Sequence, residues 1–204
     1  MSTSPGDDWA VVLARLNALL LKSDQLKEMM TKEALASHWC GLPPATEGEI
    51  AGAEKHLGVI LPPSYRSFLA ISNGWRPFSH FVERLLSVAE VEPYRTVDSE
   101  GLEMIRQYYQ NDELPDKDYL DYSTPEHMVA LRTRYYPDCL LVGKSWGVES
   151  DMILLNPHIT FPDGEWEAIF FANWLPGNQR YRSFYDLVVA SVDTSERIEK
   201  NKSS

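Results

Sequence analysis

A chain of helices and strands in succession is predicted by three features of the sequence. Amphipathic helical patterns occupy its first third, apolar runs of strand length separated by turn residues occupy 140–174, and a capped helical pattern closes the chain. Asp8 can cap a first helix whose Trp9, Val12, Leu13, Leu16, Leu19 and Leu20 recur at spacings of three and four. Ser23-Asp24 breaks it, and Leu26, Met29, Met30, Ala34 and Leu35 carry a second helix to about residue 38. A membrane-surface helix would need a lysine-rich polar face, and lysines are few here, so this pair is expected to pack on the domain C-terminal to it.

Thr46 to Trp75 is the most informative stretch. Thr46 with Glu49 has the spacing of a capping box, in which hydroxyl and carboxylate satisfy the free N–H groups of a helix start. Ile50, Ala53 and Leu57 line one face, and Gly58 can take the left-handed conformation that ends a helix. Leu61-Pro62-Pro63 turns the chain, proline being suited to a first helical turn where its missing N–H has no partner anyway. Tyr65, Phe68 and Leu69 form the next stripe, and Asn73-Gly74 stops it.

Beyond Trp75, Leu85 to Val88 with Val91 reads as a short strand, and 99–110 as a helix around Leu102, Ile105, Arg106 and Tyr109. Residues 111–126, with Pro115, Pro125 and many acids, read as a loop. Leu140–Gly143, Met152–Leu155 and Glu167–Trp174 are three strands, the last coming after a Pro162-Asp163-Gly164 turn. Ser183 and Asp186 open a closing helix with Phe184, Leu187, Val188 and Ser191, and Ser195–Ser204 is expected to fray.

The order Glu54, Leu57, Gly58, Leu61, Pro62, Tyr65, Phe68, Leu69, Asn73, Gly74 resembles the opening signature of the SUKH superfamily, the cell-wall-synthesis-regulator-like proteins. Gly143, Asp151, Asp163-Gly164-Glu165-Trp166 and Ser183-Phe184 extend the resemblance over about residues 42–192. It implies an α+β fold, a curved, largely antiparallel sheet flanked by helices. The organisation expected is an N-terminal helical extension (1–41), a SUKH-like domain (42–194) with an acidic, tyrosine-rich insertion at 92–136, and a polar tail (195–204). The signature residues read as core and corner positions, so none is carried over as a contact.

Among 204 residues the net charge is −11, and residues 83–126 hold twelve acidic against four basic side chains. Such a surface repels nucleic-acid phosphate and anionic lipid and attracts basic partners. The opening MSTSPGDDW has no basic stretch leading into an apolar run, and no run is long enough to span a bilayer. With only Cys40 and Cys139, a cytoplasmic chain with reduced thiols is expected.

Gly143-Lys144-Ser145-Trp146-Gly147 fits a nucleophile elbow, but that motif needs a helix after the serine, and strand text stands there instead. As a phosphate loop it would need a glycine where Asp138 stands. The histidines (His38, His56, His80, His127, His158) have no metal-ligand spacing. A calcium loop begun at Asp112 would place Lys117 at its sixth position and Ser123 at its twelfth. Carboxylate pairs for glycoside hydrolysis cannot be picked out among thirty acids, and Trp75, Trp146, Trp166 and Trp174 can stack sugars or fill a core. No metal and no cofactor is expected.

Seven of the ten tyrosines, Tyr94, Tyr108, Tyr109, Tyr119, Tyr122, Tyr135 and Tyr136, fall within 94–136. They either cover the sheet while the acids face water, or form a phenol-rich acidic face that steers in a basic partner. The resemblance favours the second, because bacterial SUKH proteins are largely immunity proteins that bind and neutralise toxins, often nucleic-acid-directed, while fungal relatives act in cell-wall synthesis signalling. The expectation is therefore a non-enzymatic immunity protein. Its partner is a cognate toxin with a basic surface, met through Tyr108, Tyr109, Asp112, Glu113, Asp116, Asp118, Tyr119 and Asp121. A regulatory scaffold and a carbohydrate-binding protein are the alternatives.

Overall fold

The computed structural model of the chain describes residues 8–109, 114–123, 129–145, 151–175 and 177–202. Helix α1 (Trp9–Lys22) starts where the Asp8 side chain accepts the Val11 N–H. Ser23 ends it by accepting the Leu26 N–H, which opens α2 (Asp24–Lys27). The single second helix expected here is two short ones, because Thr31 caps a fresh start, α3 (Lys32–Ser37). Both pieces still bury their apolar side, at Leu26, Met30 and Ala34.

Thr46 and Glu49 form the capping box of α4 (Glu47–Leu57): Glu49 N–H donates to the Thr46 hydroxyl at 3.2 Å and Thr46 N–H to the Glu49 carboxylate at 2.7 Å. Gly58, at φ +71°, ends the helix in the left-handed region. The next helix, α5 (Pro63–Leu69), has a proline as its N-cap and so no capping side chain of its own. The Glu165 carboxylate supplies one from 101 residues away, accepting the Ser64 N–H at 2.8 Å and the Ser64 hydroxyl at 2.6 Å. Glu54 pins the other side of the corner, accepting the Leu61 N–H at 2.9 Å and pairing with Arg66 at 2.6 Å.

Beyond this corner the chain builds a six-stranded open sheet, with helices on both sides. Its strands are β1 (Arg84–Leu85), β2 (Glu92–Pro93), β3 (Leu140–Lys144), β4 (Met152–Thr160), β5 (Trp166–Phe171) and β6 (Asn178–Tyr181). Their order is β1-β3-β4-β5-β6, every pairing is antiparallel, and β2 shares the β1 edge of β3. Register shifts near Leu141 and Asn156 mark bulges, which bend a sheet. The strand expected over 85–91 breaks in two because Ser87 and Glu90 make a capping box for a 3-10 turn at Val88–Glu90.

Between β2 and β3 lie α6 (Tyr94–Val97), α7 (Ser99–Tyr108), α8 (Asp116–Tyr119) and a 3-10 turn at Thr133–Asp138. The loop expected over 111–126 thus contains a helical turn, while 111–113 and 124–126 fall outside the described residues. The last helix, α9 (Phe184–Lys202), begins with the Ser183 hydroxyl accepting the Asp186 N–H at 3.0 Å. The tail expected to fray instead stays helical to Lys202. Ser195 is buried there, and Glu199 gathers the Ser23 hydroxyl at 3.0 Å, His80 Nε2 at 2.8 Å and Lys202 Nζ at 3.1 Å. Arg15 of α1 holds the same helix through Asp193 and Glu196.

One apolar core joins these layers. Trp9 packs its ring on Phe68, Phe184 and Tyr185, so α1 is built into the core between α5 and α9. Among the described residues no helix is long and apolar enough to cross a membrane.

Partial burial pushes the Glu199 carboxyl up, but hydrogen bonds from Lys202, Ser23 and His80 outweigh it and hold the group below its ordinary value of 4.5. A carboxyl held down in the folded state stabilises above its unfolded pKa and stops doing so as pH falls. The urea midpoint of the native chain should therefore exceed that of Glu199→Gln at pH 7, with the gap closing below about pH 4. Deleting residues 195–204 should lower the melting temperature by several degrees, where loss of a frayed tail would leave it unchanged.

Candidate functional site

The segment between β2 and β3 is anchored from inside. Glu167 of β5 and Arg180 of β6 are fully buried and paired at 2.8 Å. The Glu167 carboxylate also accepts the Tyr122 hydroxyl at 2.6 Å, the Asn156 amide at 2.8 Å and the Tyr119 hydroxyl at 3.1 Å. The guanidinium carbons of Arg180 and Arg132 lie 3.7 and 4.0 Å from the Tyr119 ring centroid. Arg132 in turn donates to the Leu114 carbonyl at 2.7 Å and pairs with Asp116 at 2.7 Å. Burial first, and the Glu167 charge second, push the Tyr119 and Tyr122 phenols far above their ordinary value, so both remain protonated donors. Nearby, the buried Tyr136 hydroxyl donates to Asn178 at 2.6 Å.

Tyr119 is therefore not the contact anchor the sequence suggested. It is fully buried because its ring covers two guanidinium groups and its hydroxyl serves a buried carboxylate. Tyr94 and Tyr136 are likewise interior, and Tyr109, Tyr122 and Tyr135 are partly buried. Asp116 and Asp118 sit on α8, Asp116 exposed and Asp118 partly buried. Partly buried Asp121 accepts the N–H and hydroxyl of exposed Ser123, two residues on. Asp112 and Glu113 lie outside the described residues.

Tyr108 faces outward, 83% exposed, at the end of α7. Met104 on the same helix is 66% exposed, and Glu100, Glu103 and the helix-capping Asp98 are exposed around them. Alongside runs a groove of about 550 Å³ whose floor is Tyr94, Ile105 and Phe171. Tyr108 packs edge-on to Tyr109 across a ring separation of 5.0 Å. The arrangement offers aromatic surface and negative charge together, which is what a protein contact uses. Sequence reading missed Met104 and Asp98 as members of this face. The cue present was α7's own pattern: Leu102 and Ile105 account for the buried side and leave Met104 and Tyr108 pointing elsewhere.

The remaining candidates for chemistry are placed as structure. Ser145 is buried at the end of β3, its N–H donating to Asp151 across the hairpin to β4, while Gly147 of the same motif lies outside the described residues. Burial pushes the Cys40 thiol up to about 11 and Cys139 well above its ordinary value, which disfavours the thiolate; both cysteines are free. Trp75 and Trp166 are core residues, whereas Trp174 is half exposed and donates to Asp151. Among the described residues no group of three or more His, Cys, Asp or Glu side chains is placed to hold a metal ion.

Residues 44–191 match the model of the SMI1 / KNR4 family (SUKH-1). The matched stretch runs from just before α4 into α9 and leaves α1 to α3 ahead of it. No curated protein matches the chain at a significant level.

Removing one member of a buried charged pair leaves the other without its counter-charge. Glu167→Gln should cost about 3–5 kcal/mol and Tyr119→Phe about 1–3 kcal/mol, both read from urea unfolding. A contact-only role for Tyr119 would leave the unfolding curve unmoved.

Proposed function

Since this chain belongs to the SMI1 / KNR4 family (SUKH-1), we propose that it is an immunity protein that binds and neutralises a cognate toxin. The reading places it in the cytoplasm, acting by occlusion and catalysing nothing itself. The observation that carries it is the outward face of α7, where Tyr108 and Met104 stand exposed among Asp98, Glu100 and Glu103. Exposed aromatic and thioether side chains are costly to leave in water and are favoured at interface centres.

Charge supplies the direction of the partner. Twelve acids against four bases in 83–126 make this side of the sequence strongly negative. A toxin acting on nucleic acid needs a cationic groove to hold phosphates, and an acidic, phenol-bearing face can fill that groove in their place. Long-range attraction then speeds encounter, and the aromatic centre slows release. Tyr108, Tyr109, Asp112, Glu113, Asp116, Asp118 and Asp121 stay in the proposed contact set, joined by Met104 and Asp98.

Co-expression decides the matter. A toxin recovered by pulldown from the native host should arrest growth when expressed alone and permit it when this chain is present. A stable partner with no toxicity would replace the reading with that of a regulatory scaffold.

With that toxin, Glu100→Lys, Glu103→Lys and Asp118→Lys together should slow association at low salt by about tenfold or more and flatten its salt dependence. The melting temperature should barely move, because these side chains are solvent-facing or nearly so. Asp116 is left intact in this test because it pairs with the buried Arg132.

A further inference from the structure

The groove beside α7 has a chemistry more specific than a negative surface. Tyr94, Ile105 and Phe171 form a buried floor, and Met104 and Tyr108 form exposed walls. Asp98 is the carboxylate that lines it, and its two oxygens are unequally engaged. One accepts the Gly101 N–H at 2.8 Å as the cap of α7, while the other meets the Tyr94 hydroxyl at a long 3.4 Å.

We propose that this groove receives an arginine side chain of the protein partner, its guanidinium against Tyr108 and Asp98 and its stem along Met104 and the apolar floor. The proposal rests on the reading that this face meets a protein. An anionic group would be repelled by Asp98, Glu100 and Glu103. A neutral apolar side chain would cover the Asp98 carboxylate without a counter-charge. A lysine ammonium is compact and strongly hydrated, whereas a guanidinium is planar, sheds water more readily and stacks on aromatic faces. The chain uses the same pairing internally: Arg180 and Arg132 lie over Tyr119, Arg134 over Tyr135 at 4.9 Å, and Arg182 over Phe161 at 4.5 Å.

Gly101 sets the position of the carboxylate. A Cβ there would fall 2.1 Å from one Asp98 oxygen, so only glycine lets the carboxylate fold over the first turn of α7. Gly101→Ala keeps the charge, adds a good helix former and pushes the carboxylate aside.

The full chain is titrated with N-acetyl-arginine amide, its uncharged citrulline counterpart and N-acetyl-lysine amide, monitored by backbone amide shifts. The arginine probe should give saturable shifts centred on residues 94–109, with citrulline and lysine weaker by about tenfold and about threefold. Asp98→Asn, Gly101→Ala and Tyr108→Ala should each weaken the arginine probe by about tenfold. Gly101→Ala and Tyr108→Ala should keep their helical content and melting temperature, which separates loss of the site from loss of fold. Equal binding of citrulline, shifts spread over the acids of α8 and α9, or wild-type affinity in all three variants would overturn the proposal. The probe needs no toxin, so its failure leaves the immunity reading standing, and failure of co-expression rescue leaves the groove result intact.

Discussion

A carboxylate buried without partners is among the most expensive groups a protein can hold, and Glu167 is buried completely. It is tolerable because Arg180, Tyr119, Tyr122 and Asn156 all reach it, from β6, α8, the segment after α8 and β4. None of these contacts is useful alone. Arg180 without Glu167 is a buried cation, and Tyr119 without either has lost its acceptor and one of its two stacking partners. The segment between β2 and β3, the edge strand and the sheet centre are therefore linked by a requirement that they assemble together. Since α6 and α7 pack on each other and on the Thr133–Asp138 turn, the outward face of α7 inherits its position from that assembly.

The acids of this chain divide into two populations. Glu54, Glu165 and Glu167 are buried and serve N–H, hydroxyl and guanidinium donors. Glu100, Glu103 and Asp116, between β2 and β3, are exposed and carry negative charge toward solvent. The family signature draws on the first population and on the corner around Gly58 and Pro62, which explains why it identifies the fold and not the contact surface. Exposed acids lie in the segment between β2 and β3, outside that signature.

Local chemistry made much of the molecule readable. Thr46 with Glu49, Ser23, Asp8, Gly58 and Ser183 do their work within a few residues of themselves, so helix starts and stops can be read from the text alone. The runs at 140–143 and 152–155 are buried on both faces of a central sheet, and continuous apolar text is the mark of that situation.

What the sequence determined by itself was the N-terminal and closing helices, the corner between α4 and α5, and the sheet's central strands, because each depends on caps, glycines or apolar periodicity over short distances. Tertiary structure alone decided that Asn178–Tyr181 is a strand, that Tyr119 is interior and that the last ten residues remain helical as far as Lys202. The reason is separation along the chain. Tyr119 is set by a carboxylate 48 residues away, α5 is capped from 101 residues away, and the tail is held by a serine 176 residues away. Those partners become neighbours only after the sheet has formed, and the same polar side chains would otherwise face water.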